Sequence, residues 1–101
     1  MKEEQGNIYE STDYLEEDKF ELLIQEWLIT EFKNNTGIDI TINPIALQRI
    51  MESAKNAKIE LFLKHSTEIN IPFLASDNGK PKHLHTILYR TKFEQIVSDL
   101  M

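Results

Sequence analysis

The sequence predicts an α+β fold of the order helix, helix, β-hairpin, helix, with the helices packed on one side of a small antiparallel sheet. Three observations predict it. Apolar residues recur at three- and four-residue steps from Phe20 to Phe32 and again from Leu47 to Phe62. The period changes to two between Glu68 and Arg90, as in half-buried strands. Helical spacing then returns after Thr91.

Residues 1–15 lack apolar periodicity and read as an acidic leader, poorly structured or holding a strand remnant around Ile8–Tyr9. Residues 16–101 form the folded unit. Helix one is expected from about Asp18, an N-cap or first-turn acid, to Asn34. Phe20, Leu23, Ile24, Trp27, Leu28, Glu31 and Phe32 share its inner face, with Trp27 in the core. Asn34-Asn35-Thr36-Gly37 stops it, and Gly37 suits a left-handed C-terminal position. Ile38-Asp39-Ile40 is a connector. Asn43 caps helix two, and Pro44 suits the first helical position, where no N–H is needed. Its face runs through Leu47, Ile50, Met51, Ala54, Ala57, Lys58, Leu61 and Phe62 to about Lys64. The strand 68–73 is expected to lie at an edge or to break at Pro72, which lacks a ladder donor. Asp77-Asn78-Gly79-Lys80-Pro81 is the hairpin turn, and Leu84, Thr86 and Leu88 face one side of the second strand. Thr91 and Glu94 form a capping box that starts a last helix through Phe93, Ile96, Val97 and Leu100.

Composition narrows the function. The 101 residues hold no cysteine, which excludes disulfides, thiolate metal sites and thiol nucleophiles, and fits a reducing compartment. The net charge of −6 belongs to one end: residues 1–21 carry eight acidic residues against two lysines, and the remainder is neutral. That distribution argues against a nucleic-acid partner, which needs a basic face. No apolar run approaches the roughly 20 residues of a membrane span, and the acidic N-terminus is unlike a signal or transit peptide. His83-x-His85 projects to one side of a strand. Without a third ligand it is read as surface histidines rather than half a metal site. Ser11, Thr12, Ser53, Ser66 and Ser98 lie in no nucleophile-elbow context, and neither a P-loop nor a dinucleotide glycine pattern occurs. The sequence thus offers no catalytic residue and no metal site.

Several strings, in order, resemble subdomain IIB of the ATPase domain of DnaK-type chaperones, the seventy-kilodalton heat-shock family. They are Glu31-Phe32-Lys33, Thr36-Gly37-Ile38-Asp39, Ala46-Leu47-Gln48-Arg49, Ala57-Lys58-Ile59-Glu60-Leu61, Glu68-Ile69-Asn70-Ile71-Pro72-Phe73 and Pro81-Lys82-His83-Leu84. Phe93-Glu94 and Ser98-Asp99-Leu100 close the resemblance, which covers about residues 11–101. The pattern is closer to bacterial and organellar members, plastid-like ones especially, than to those of the eukaryotic cytosol. It implies a bacterial cytoplasm or an organelle.

The resemblance also implies which positions face ATP or ADP. The family carries Gly-Gly beside the phosphates, where this sequence has Glu16-Glu17. Like charges about 4 Å apart repel by about 1 kcal/mol in water, and more when desolvated. The family's nucleoside-binding Glu corresponds to Lys55. Its Lys three residues on is retained as Lys58, which otherwise reads as a helix lysine lying along the core. Ile59 takes a position that is Arg or apolar in the family. Phe62 replaces a small Ser beside the adenine, and its ring is expected to plug the pocket or pack in the core. Of these positions only Lys58 clearly keeps the family's residue.

The family's first phosphate-binding segment, catalytic lobe and peptide-binding domain have no counterpart in these residues. In-line phosphoryl transfer needs metal, water and phosphate clamps together. The expectation is a chaperone ATPase-domain fragment that is not an enzyme alone. It supplies at most part of an ATP-binding cleft and a docking surface, on the hairpin and helix two, for a nucleotide exchange factor or cochaperone. One alternative is half of a split ATPase completed by another chain carrying the other lobe. The other is a folded remnant without function.

Overall fold

A computed structural model describes the backbone of residues 5–99 and the side chains of residues 19–99. Helix α1 spans Gln5–Thr36, a 3-10 turn spans Ile40–Ile42, and helix α2 spans Pro44–Leu63. Strands β1, Ser66–Asp77, and β2, Lys80–Tyr89, form an antiparallel hairpin, and helix α3 spans Arg90–Asp99. The α+β order is the one expected.

The helix stops and starts follow from local chemistry. Gly37 takes a φ of 80°, and its N–H donates to Lys33 O at 2.7 Å, ending α1. The Thr36 hydroxyl donates to Phe32 O and accepts from Ile38 N. At the start of α2, Asn43 Oδ1 accepts from Ile45 N and Ala46 N at 3.0 and 3.1 Å, with Pro44 in the first turn. Asp39 caps the 3-10 turn through the backbone N–H and hydroxyl of Thr41. This turn begins at the last residue of the Ile38-Asp39-Ile40 connector and continues through Thr41 and Ile42, and it buries Ile40.

Two boundaries differ from expectation. Helix α1 begins at Gln5 instead of near Asp18, so the helical backbone continues back through much of the acidic leader. Extending an existing helix costs little once its packed part is formed, and this needs no apolar period. The side chains of Glu16, Glu17 and Asp18 lie outside the described residues. At the other end α3 begins at Arg90, so Thr91 lies inside the helix rather than at its cap. The reason is tertiary: Arg90 N donates to His65 O at 2.8 Å, which starts the helix where β2 ends.

The core is one layer between helices and hairpin. Ile24, Leu28 and Phe32 of α1 meet Ile50, Ala54, Ala57 and Leu61 of α2; Ile69, Ile71 and Leu74 of β1 and Leu84 and Leu88 of β2 complete it. The other sheet face, with Glu68, Asn70, His85, Ile87 and Tyr89, is exposed. The helices therefore lie on one side of the sheet. Trp27 packs against the core from its margin, as does Phe93. Three residues assigned to the inner stripes, Phe20, Met51 and Phe62, are exposed instead. Ala46, absent from the predicted face of α2, is buried, because the buried arc is narrower and turned toward the alanines.

Pro72 breaks β1 as its missing donor requires. The register runs from Ser66↔Tyr89 to Ile71↔Leu84 and resumes at Ala75↔Lys82. Across this bulge the buried positions change from Thr67, Ile69 and Ile71 to Leu74, so the core contact survives the slip. Phe73 takes a φ of 55°, which costs an L-residue roughly 1–2 kcal/mol. Its N–H donates to His83 Nδ1 at 2.8 Å, and its C=O accepts from Arg49 Nη1 at 2.9 Å. These two bonds hold the strained residue. At the tip, Asn78 and Gly79 have φ of 54° and 81°, the pattern of a type I′ turn.

Asn43→Ala is expected to lower stability by about 1 kcal/mol through loss of the α2 cap, read by urea denaturation. Asp39 gives a pH test. Hydrogen bonds from the Thr41 backbone and hydroxyl, with a smaller contribution from Lys33, hold its carboxyl below the ordinary value. A lowered folded-state value means stability present above the ordinary range and lost as pH falls through the lowered one. The melting-temperature gap between the parent and Asp39→Ala is therefore widest above about pH 5 and narrows as pH drops below about 3.9.

Candidate functional site

Four of the sequence-selected residues lie on α2, and helical geometry sorts them. Lys55, Ile59 and Phe62 follow three- and four-residue steps and share one outward face. All three are exposed, Phe62 by 70%. The expectation that the Phe62 ring packs in the core is thus corrected: the buried arc of α2 ends at Leu61. Lys58 lies at the border of that arc, one position past buried Ala57. The fifth, Glu17, lies outside the described side chains.

Lys58 does not reach into open solvent. Its Nζ donates to Glu21 Oε2 of α1 at 2.8 Å, and the two side chains are only 13% and 15% exposed. The pair bridges α1 and α2 where the opposed apolar stripes are interrupted by opposite charges. A pair this sheltered from water is screened less than a surface one. Removing one partner leaves the other half-buried and unmatched.

An open cleft of about 300 Å³ lies beside this pair, lined by Lys58, Leu61, Phe62, Arg90, Phe93 and Glu94. It brings Lys58 and Phe62 together; Lys55 and Ile59 are not in its lining. Arg90 shapes one wall. Its Nε donates to Leu61 O at 2.9 Å and its Nη2 to Lys64 O at 2.8 Å, satisfying carbonyls at the α2 C-terminus that the helix leaves open. Phe20 packs edge-on against Phe93 at 6.1 Å, joining α1 to α3 at the rim. Two further clefts flank α3, one lined by Leu23, Glu26, Trp27, Thr30, Ile96 and Asp99, the other by Phe20, Phe93, Glu94, Val97 and Ser98. Neither lining includes a cation.

Sequence reasoning missed Glu21 and Arg90. A signal for Glu21 existed. It stands three residues before Ile24 and seven before Leu28, on the inner face of α1, where an acid needs a partner. For Arg90 there was none, since its partners are backbone carbonyls of another element.

The two strand histidines are engaged separately. His83 Nδ1 accepts the Phe73 N–H, and the rings meet edge-on at 4.9 Å. His85 Nε2 lies 2.6 Å from Glu68 Oε2 across the hairpin. Among the described residues no three His, Cys, Asp or Glu side chains are grouped to hold a metal ion. Among the same residues no helix is long and apolar enough to cross a membrane.

Three helices on one face of a two-stranded hairpin, with an open cleft where α2 meets α3, define a small layered α+β lobe. Residues 11–101 match the family model described as Hsp70 protein. The chain belongs to that family of chaperones, the one its short strings resemble.

Lys58→Ala is expected to lower stability by about 1–3 kcal/mol, because it strands Glu21 half-buried without its donor. In urea denaturation, a double-mutant cycle with Glu21→Ala should give a coupling of at least about 0.5 kcal/mol.

Proposed function

We propose that this chain is part of the ATPase domain of a DnaK-type chaperone, its subdomain IIB, of the bacterial or organellar type. The observation that carries this is the family match over residues 11–101, joined to the position of Lys58 and Phe62 in one open cleft. The cleft acts as one wall of an ATP or ADP site rather than a complete site. The base, ribose and phosphate groups all need contacts, and this lobe offers a wall on one side only. We read the chain alone as not an ATPase, because in-line phosphoryl transfer needs groups held together on both sides of the phosphates and this lobe lines one side.

Near the lining residue Phe62 along α2 stand Ile59 and Leu63; Ile59, Phe62 and Leu63 are exposed by 48%, 70% and 78%. These apolar side chains support the reading that another lobe, in the same polypeptide or a separate chain, covers this side. A nucleotide exchange factor or cochaperone would dock on the exposed hairpin face and adjoining α2 surface. The compartment is the bacterial cytoplasm or an organelle.

Calorimetric titration of the chain with ATP and Mg²⁺ tests the nucleotide half. The expected affinity is weaker than about 1 mM, near −4 kcal/mol, with no phosphate release. Sub-millimolar binding or turnover would overturn the partial-site reading. Co-purification with a chain carrying the other lobe, giving ATP turnover only together, would select the split-ATPase alternative.

A further inference from the structure

We propose that Asn78-Gly79, at the tip of the hairpin, is a site of spontaneous deamidation, and that its isoaspartate product unzips the hairpin back to the bulge at Pro72 and Phe73. The modification consumes water and needs no enzyme.

Sequence, backbone and packing converge on this dipeptide. Asparagine is thermally labile where the next amide nitrogen can reach its side chain. Asn7, Asn34 and Asn35 stand in α1 and Asn56 in α2, where helical hydrogen bonds fix the main chain. Asn43 precedes Pro44, whose nitrogen carries no hydrogen, and Asn70 lies in β1 before the β-branched Ile71. Only Asn78 precedes a glycine, and both residues are exposed. Even a Cβ built on Gly79 would meet nothing within 4 Å, so the nitrogen is unshielded. The ladder closes at Asp77↔Lys80 and leaves Gly79 outside it.

The chemistry is self-contained. The Gly79 nitrogen gives its proton to solvent and bonds to the side-chain carbonyl carbon of Asn78. The tetrahedral adduct expels ammonia and leaves a five-membered imide. Water then adds to one of the two imide carbonyls and opens that C–N bond, giving aspartate or isoaspartate. In the closed type I′ turn the first central residue holds ψ at about 30°, which turns the Gly79 nitrogen away from the Asn78 side chain. The reaction therefore waits on opening of the tip. Beyond the bulge only three pairs hold it: Ala75↔Lys82, Ser76↔Pro81 and Asp77↔Lys80. Pro81 donates no N–H, and no side chain from Ala75 to His83 is fully buried. Few buried contacts make such an opening cheap. Isoaspartate adds a methylene to the main chain, so the two-residue turn no longer matches the strands. Its free carboxylate also stands beside Asp77. Inward of the tip, Ile71, Leu74 and Leu84 are buried and hold the rest of the hairpin.

The test incubates the full chain in neutral buffer, native and unfolded in guanidinium, and follows the tryptic peptide that holds Asn78 by chromatography and mass spectrometry. The expected result is a gain of about one mass unit and two product peaks, aspartate and isoaspartate. The native rate should lie within about tenfold of the unfolded one, as for a segment that opens cheaply. A native rate more than about a hundredfold slower overturns the proposal, because the closed turn would then protect Asn78 until the whole lobe unfolds. Equal or faster native reaction at any other asparagine overturns it too. Gly79→Ala, assayed unfolded so that turn strain plays no part, should slow the reaction about tenfold, because a Cβ crowds the attacking nitrogen. An unchanged rate in that variant defeats the imide route. In the purified isoaspartate form, amide resonances of residues 75–82 should move toward unstructured positions, while those of Ile71, Leu84 and Leu88 stay in place. Tip resonances that keep their hairpin positions, or losses that spread through the core strands, overturn the unzipping to the bulge.

Discussion

Helix α2 is the element on which the rest of the lobe depends. It packs on α1 along one side and on β1 along the other, and its buried positions include Ala46, Ala54 and Ala57. Small side chains there let two elements approach one helix closely. Larger residues come from the partners: Phe32, Ile24 and Leu28 from α1, Leu84 and Leu88 from the hairpin. In a unit of this size no second core can compensate for a defect in the first. Any change that pushes α2 outward would separate α1 from the sheet.

The same constraint makes the cleft. Because the buried arc of α2 is narrow, Lys58 falls at its edge and Phe62 beyond it. Lys58 is drawn to Glu21 by the packing of α1, and Phe62 is left uncovered by it. Arg90 then ties the far end of α2 to the start of α3. The cleft between them is thus fixed by backbone carbonyls rather than by ligand-binding groups. Helix α3 itself buries no residue fully and rests on the lobe through Phe93, Ile96 and Val97. A helix held only by half-buried side chains opens locally at low cost.

The hairpin shows how a sheet of two strands tolerates a proline. The bulge at Pro72 and Phe73 costs pairing and places Phe73 in a left-handed conformation. Arg49 from α2 and His83 from the opposite strand bind the two polar groups that the bulge exposes. The bulge thereby becomes a joint between helix and sheet, and Leu74 is returned to the core.

Much of this was legible in the sequence, because it depends on neighbours in the chain. Helical and two-residue periods, the Asn43 and Pro44 start, the Gly37 stop, the Asn78-Gly79 turn and the break at Pro72 are local matters of dihedral angle and hydrogen-bond supply. Family membership was legible in short strings for the same reason. What only the tertiary structure decided is which edge of each stripe is covered. Phe62 and Phe20 sit at stripe margins, where a few degrees of helix rotation separate core from surface. The partners of Lys58, Arg90 and His83 lie 37, 29 and 10 residues away along the chain, and for Arg90 and His83 they are backbone groups that every residue possesses. No residue type or spacing marks a backbone partner; the packing of α2 against α1 and the hairpin brings all three pairs within reach.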